Sequence, residues 1–317
     1  MRVRIRAAAF NHLDQFTLQG IPGVSIERPH VLGSDGAGVI DRLGPGLDGP
    51  PVGTAVLLNP GIWDGTCEAC RRGQESYCRA YRILGEHTQG TATELVVVPA
   101  RNVHPIPAGL SFEQAASVPL VFQTAWRALC TVGQLSAGET CAIIGAGGGV
   151  ATAAVQIAQR SGARVVVAAR SDRHAERVRA LGAEELLVFS PEVPLDRLLW
   201  QWSGKRGVDV IFDSVGQPTV PRSVQALARG GRLVVIGATA GPKVEIDLRT
   251  LFWRQASIRG STMADPREFA QVLEQIALGS LHPVIDSTYP FERAREAFER
   301  SCAPGLFGKV VVSAPVP

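Results

Sequence analysis

The stretch from Thr140 to Arg173, TCAIIGAGGGVATAAVQIAQRSGARVVVAARSDR, decides the fold class of this 317-residue chain. Cys141 to Ile144 is an apolar run of strand length. Gly145-Ala146-Gly147-Gly148-Gly149 forms a turn. Ala151 to Arg160 has helical spacing, with Ala154, Val155 and Ala158 on one face, and Arg164 to Ala169 is a second apolar strand. Strand, glycine turn, helix and strand in that order are what a dinucleotide requires. Glycines let the backbone approach a pyrophosphate, and the helix start at Gly149 and Val150 offers unpaired N–H groups and a positive dipole end. Ordinary strand-to-helix turns also use glycine, and it is the two flanking strands that favour the nucleotide.

Working outward, 317 residues suffice for two domains, each with its own core. With 45% hydrophobic and 19% charged residues the composition is that of a globular protein. A net charge of +3 with no basic block argues against nucleic acid as a partner. Thr140 to Gln159 carries no charge, but its glycine cluster and Gln156 argue against a membrane span. No secretory or transit segment is read before Met1-Arg2-Val3, so a cytoplasmic protein is expected. In that setting clustered cysteines suggest a metal site before disulfides.

Met1 to Ala8 alternates charge with apolar residues, the period of a half-exposed strand. Between Gly20 and Leu110, Val31-Leu32, Val39-Ile40, Ala55 to Leu58 and Leu95 to Val98 are short apolar runs punctuated by glycine and proline. They predict an all-β module, a partly open barrel. From Ser111 the texture turns helical. Arg173 to Leu181 and Val220 to Arg229 read as helices, while Val208 to Asp213, Arg232 to Ile236 and Ala256 to Gly260 read as strands. That alternation predicts a parallel, doubly wound sheet. Helices over Pro266 to Leu278 and Phe291 to Arg300 and a strand over Val310 to Val312 finish the chain.

Asp64, Cys67, Cys70 and Cys78 have the spacing D-x2-C-x2-C-x7-C, four ligands that can close a tetrahedral structural zinc site. Cys130, Cys141 and Cys302 stand singly in apolar surroundings and read as packing residues. NAD-binding strands place an acid at the end of the second strand to accept from the ribose hydroxyls. Here Ala169 is followed by Arg170-Ser171-Asp172-Arg173. Arg170, Ser171 and Arg173 suit a 2′-phosphate, which favours NADPH over NADH.

Asn11-His-Leu-Asp14, Gly33-Ser-Asp-Gly-Ala-Gly38, the cysteine segment, the glycine turn and Phe307-Gly-Lys-Val310 together resemble the medium-chain dehydrogenase/reductase superfamily of zinc alcohol dehydrogenases and quinone oxidoreductases. The resemblance implies a GroES-like catalytic domain over residues 1–121 and 262–317, and a Rossmann nucleotide-binding domain over 122–261. It implies a hairpin upstream of the Arg-Val-Arg strand that this sequence lacks. It also implies subunit pairing through Ala256 to Gly260, hence a homodimer. The family's catalytic zinc ligands would fall on Asn11, Ser34 and about Leu120, none a good ligand, and Leu13 replaces the relay hydroxyl. The pattern is similar to the zinc-independent quinone and enone reductase branch. The expected activity is therefore NADP(H)-dependent hydride transfer to an activated acceptor. A zinc-type alcohol or aldehyde dehydrogenase and a non-catalytic nucleotide-binding protein are the alternatives. Asn11 is the expected hydrogen-bond donor to the acceptor, with His12 a further proton donor; His87 and Tyr81 stand behind them. By the same resemblance Thr124 lies near the nicotinamide, and Ala146, Gly148 and Ala151 are the small residues of the turn. Gly216 opens a turn for the coenzyme, Gly237, Ala238, Ser261 and Thr262 line the nicotinamide side, and Lys309 reaches the pyrophosphate. Asp14 and Asp35 are expected to tie loops together.

Overall fold

A computed structural model describes residues 1–21 and 23–314. The chain divides into two compact units, Met1–Gln123 with Met263–Pro317, and Thr124–Thr262.

The first unit is built on β1 (Arg2–Phe10), where Val3 and Ile5 turn inward and Arg2 and Arg4 turn to Asp41. It pairs antiparallel with β2 (Asp35–Arg42), and the crossing is close: a Cβ on Gly38 would stand 2.0 Å from the Arg4 carbonyl oxygen. Only glycine fits there. The sheet continues through β3 (Ala55–Leu58). A separate two-stranded ribbon, β4 (Gly61–Ile62) and β5 (Arg82–Ile83), flanks the cysteine segment. The sheet is completed by β6 (Leu95–Val97), which pairs with β1, and β7 (Val103–Pro105), which pairs with β3.

The second unit holds six parallel strands: β8 (Thr140–Ile144), β9 (Arg164–Ala169), β10 (Glu185–Val188), β11 (Val208–Asp213), β12 (Leu227–Val235) and β13 (Ser257–Gly260). Their order is β10-β9-β8-β11-β12-β13. The chain winds outward from β8 to one edge, then restarts at β11 toward the other, which puts the switch point at the C-terminal end of β8. β8 and the middle of β9 are buried on both faces, which is why they read as unbroken apolar runs.

The chain then returns to the first unit with β14 (Ile285–Pro290) and β15 (Lys309–Ser313). β15 lies antiparallel to β1, pairing Val310 with Phe10. The resulting path β14-β15-β1-β2-β3-β7 is open at both ends, with Val3, Ile5, Ile40, Val56, Val96 and Val310 in its core. The architecture is thus the expected one, a GroES-like sheet module and a Rossmann-like parallel sheet.

Three local readings change. Val31-Leu32 is loop, its carbonyls bonded to the N–H groups of Gly90 and Ala92. The helix from Val220 ends at Ala226, because Leu227 and Ala228 bury themselves in β12 ahead of the Gly230-Gly231 pair. β10, β14 and the helices Leu195–Trp202 and Leu248–Trp253 had no sequence reading. Among the described residues no helix is long and apolar enough to cross a membrane.

Candidate active site and metal centre

The glycine turn follows β8. Gly145 has φ +98°, a left-handed conformation that favours glycine. Gly148 is the N-cap of the helix Gly149–Arg160 and supplies no side chain to close it. At Gly148 φ is −71°, and an added Cβ would meet nothing within 4 Å. Nothing in the protein therefore demands glycine at that position. Open space above a bare helix N-terminus fits a pyrophosphate, held by the N–H groups of Gly149, Val150 and Ala151. Ala146 and Ala151 are buried beside it.

Thr124 and Ser261, also in the second unit, bury hydroxyls with no partner among the described residues. Unsatisfied buried hydroxyls are costly, and a coenzyme carboxamide is a group that would complete them. Gly237 and Ala238 follow β12, half-buried and exposed respectively. Gly216, expected to open a turn for the coenzyme, is packed by protein on the side where a side chain would project. Its φ of +92° and its N–H, bonded to Asp213 Oδ1 at 3.0 Å, make a turn roofed by protein. An added Cβ would lie 2.5 Å from the Gly241 carbonyl oxygen. The glycine there serves close backbone packing. At the end of β9, Arg170, Ser171 and Arg173 are exposed, and their side chains have no partner among the described residues.

In the first unit, Asn11 precedes the helix His12–Gln19. Its N–H donates to Asp14 Oδ2 at 2.7 Å, while Asp14 Oδ1 accepts from Gly33 N at 2.7 Å. Asp14 thereby ties the start of the helix to the loop at Gly33. Burial outweighs these N–H bonds and the nearby Lys309 charge, and raises the Asp14 pKa to about 6. Asn11 Nδ2 donates to Asp35 Oδ2 at 2.9 Å. The same oxygen accepts from Lys309 Nζ at 2.8 Å, and Lys309 also donates to Asn11 Oδ1. Asp35 Oδ1 accepts from Leu120 N at 2.8 Å.

Lys309, expected at the pyrophosphate, is thus buried in the first unit and engaged by an anion and an amide. The neighbourhoods that a catalytic metal would draw together, at Asn11, Ser34 and Leu120, are joined by Asp35. They offer an amide, a buried hydroxyl without partner and a leucine side chain. With a lysine ammonium also on Asn11 and Asp35, this donor set does not fit a zinc ion. Nothing local in the sequence signalled the cluster, because Lys309 lies 298 positions from Asn11.

His12 is exposed, yet the surrounding protein and the Lys309 charge lower its pKa. His87 Nδ1 accepts from Ile83 N at 3.2 Å, and burial lowers its pKa as well.

In the cysteine segment, one ligand atom from each of Asp64, Cys67, Cys70 and Cys78 lies within 4.8 Å of the others. Cys67 and Cys70 sulfurs are 3.5 Å apart, and Cys78 Sγ is 3.3 Å from Asp64 Oδ2. A zinc with sulfur ligands at about 2.3 Å separates them by roughly 3.8 Å, so the spacing fits. Asp64 Oδ1 accepts from Thr66 N and Cys67 N, which aims Oδ2 inward and holds the carboxyl well below its ordinary pKa. Burial and the neighbouring thiols push Cys70 up to about 12, a cost that a bound dication would reverse. A metal held by all four would have a closed site, with no open position for a substrate. Cys141 is a buried packing residue as expected and Cys130 is half-buried. Cys302 is exposed, contrary to that reading, because it ends the helix Ala294–Cys302 on its outer side.

Residues 1–108 match the family model described as the alcohol dehydrogenase GroES-like domain, and residues 149–277 match the zinc-binding dehydrogenase model. The acryloyl-coenzyme A reductase of Metallosphaera sedula is 31% identical over 316 residues, covering 98% of this chain and 91% of that protein. The quinone oxidoreductase of Lama guanicoe is 28% identical over 317 residues, 98% of this chain and 87% of the relative. A crystal structure of an NAD-dependent alcohol dehydrogenase superposes with TM-score 0.94 at 39% identity, covering 99% of this chain and 91% of that one. With two family models together covering most of the chain and a relative 31% identical over nearly its full length, the chain belongs to the medium-chain dehydrogenase/reductase superfamily of oxidoreductases, which includes zinc-type alcohol dehydrogenases and quinone oxidoreductases.

Proposed function

We propose that this protein is an NADPH-dependent reductase that adds hydride to an activated acceptor, a quinone or an α,β-unsaturated carbonyl, without a catalytic metal. The observation that carries this reading is the Lys309 ammonium bonded to Asn11 and Asp35, in the neighbourhood where a metal-dependent relative would hold its zinc. A simple carbonyl needs strong polarisation to accept hydride, whereas a conjugated one spreads the incoming charge itself. The protein then has to position the reactants and offer a hydrogen bond. The names of two relatives support the acceptor class, since an acryloyl thioester and a quinone are both conjugated carbonyl compounds.

A reduced nicotinamide supplies the hydride when bound. Gly148, Gly149, Val150 and Ala151 hold its pyrophosphate, Thr124 and Ser261 its carboxamide side, and Arg170, Ser171 and Arg173 the 2′-phosphate. Asn11 receives the acceptor oxygen through Nδ2. His12, exposed to solvent, passes a proton to the acceptor. The cysteine segment holds a structural zinc, and two copies pair through β13 in a cytoplasmic homodimer.

The test is oxidation of NADPH and NADH with quinones, enones, aldehydes and alcohols, with metal analysis of the same sample. Turnover of conjugated acceptors that survives chelation is expected, with kcat/KM higher for NADPH. Replacing Arg170 by Ala should raise the KM for NADPH about ten-fold and leave NADH unchanged. The structure named as an NAD-dependent alcohol dehydrogenase favours a second reading, NAD-linked alcohol oxidation. Alcohol turnover with NAD that is lost on chelation would establish that one. Tight coenzyme binding with no turnover would mark a non-catalytic nucleotide-binding protein.

A further inference from the structure

The buried Lys309 side chain has a specific arrangement around it. One N–H is placed on Asp35 Oδ2 at 2.8 Å and another on Asn11 Oδ1. Asn11 Nδ2 donates to the same carboxylate oxygen at 2.9 Å. The amide is therefore fixed end for end, its oxygen on a cation and its nitrogen on an anion. One Nδ2–H of half-buried Asn11 is left without a partner among the described residues.

We propose that Lys309 is a positioning residue: its ammonium orients and polarises the Asn11 amide so that the remaining Nδ2–H donates to the acceptor oxygen. The proposal rests on the reductase reading above. When hydride adds at the β-carbon of an enone, a C–H bond forms there and the C=C π pair shifts toward the carbonyl. The C=O π pair then moves onto oxygen. The acceptor gains two electrons from the reduced nicotinamide, and a proton from water closes the balance at the α-carbon. Charge thus collects on the carbonyl oxygen, and a donor already aimed there stabilises it without reorganising. Asp35 offsets the net charge of Lys309, so the lysine contributes orientation and local polarisation in place of bulk attraction. In water an asparagine amide flips freely; here the charged pair removes that freedom.

Three variants test this: Lys309→Met, Lys309→Arg, and Asp35→Asn with Lys309→Met, which leaves no unpaired buried charge should the single variant fail to fold. With wild-type enone turnover as reference, Lys309→Met or the double variant should lose about 100-fold in kcat. The dissociation constant for NADPH, read by fluorescence, should stay within about two-fold. Lys309→Arg should recover part of kcat. Across enones with increasingly electron-withdrawing substituents the loss should shrink, because a better-activated acceptor needs less help. In the coenzyme-free protein, the His12 pKa followed by NMR should rise in Lys309→Met as the neighbouring charge disappears. Weaker NADPH binding with kcat intact would return Lys309 to the pyrophosphate and overturn the proposal. A loss equal for every acceptor would also overturn it. A wild-type protein inert toward all conjugated acceptors would instead remove the reductase reading, and this proposal with it.

Discussion

Asp14 shows how one residue's burial sets a measurable pH response. Its carboxyl is buried and titrates near pH 6 in the folded chain, against 3.8 for the ordinary group. The folded state thus favours the protonated form. The associated stability is fully present below about pH 4 and is lost as pH rises through about 6. Urea unfolding of wild type and Asp14→Asn between pH 4 and 7 should show the wild type losing ground to the variant over that window. A pH-independent difference would mean that Asp14 is ionised throughout. Asn11 belongs to the same scale. Its type, an amide where a thiolate would bind zinc, was legible in the sequence, while its partners were not.

Two elements carry separable tasks. The helix Gly149–Arg160 follows an N-cap glycine, Gly148, that no protein atom requires. Gly148→Ala should therefore leave the melting temperature within about 2 °C, since the added methyl touches nothing and fits the backbone. It should weaken coenzyme binding about ten-fold, because the methyl occupies the space above the N–H groups. Calorimetry and coenzyme titration on one preparation would separate these effects. The cysteine segment makes the opposite prediction. Cys67→Ser with Cys78→Ser should abolish a one-per-chain zinc content and lower the melting temperature. It should spare the kcat of the molecules that remain folded, since the closed site has no position for substrate. Metal analysis beside a thermal melt checks this. A kcat that falls in proportion to zinc content would place the metal in the chemistry.

For the whole molecule the open question is what covers the edge of the parallel sheet. β13 is the edge strand, and the helix before it, Leu248–Trp253, buries none of its residues. Phe252 and Trp253 are 65% and 69% exposed, and Ile258 on the strand itself is exposed as well. An unpaired strand edge flanked by apolar side chains is a pairing surface. A second copy aligned along β13 would extend six strands to twelve. Light scattering should give twice the 33.7 kDa chain mass. Ile258→Pro, which removes an edge N–H, should shift the protein toward monomer. A monomeric wild type would remove the homodimer.

The sequence by itself determined the architecture. Apolar runs of strand length, a glycine turn and helical spacing are local patterns, and each forces a local conformation whose sum is the two-unit fold. It also picked out Asp64, Cys67, Cys70 and Cys78, whose ligand atoms the structure brings within 4.8 Å of one another, because they span one short loop. It read β13 but missed β10, only four residues long, and β14 and the helix Leu248–Trp253, none of whose residues is buried. Only the tertiary structure decided that Gly216 is roofed by its own backbone and that Lys309 ends on Asp35 and Asn11. The reason is physical. β15 pairs with β1 across nearly the full length of the chain, and that pairing brings an ammonium beside an amide almost 300 positions away. Local pattern fixes how a segment folds, but electrostatic neighbours are chosen by strand register, which no single stretch contains.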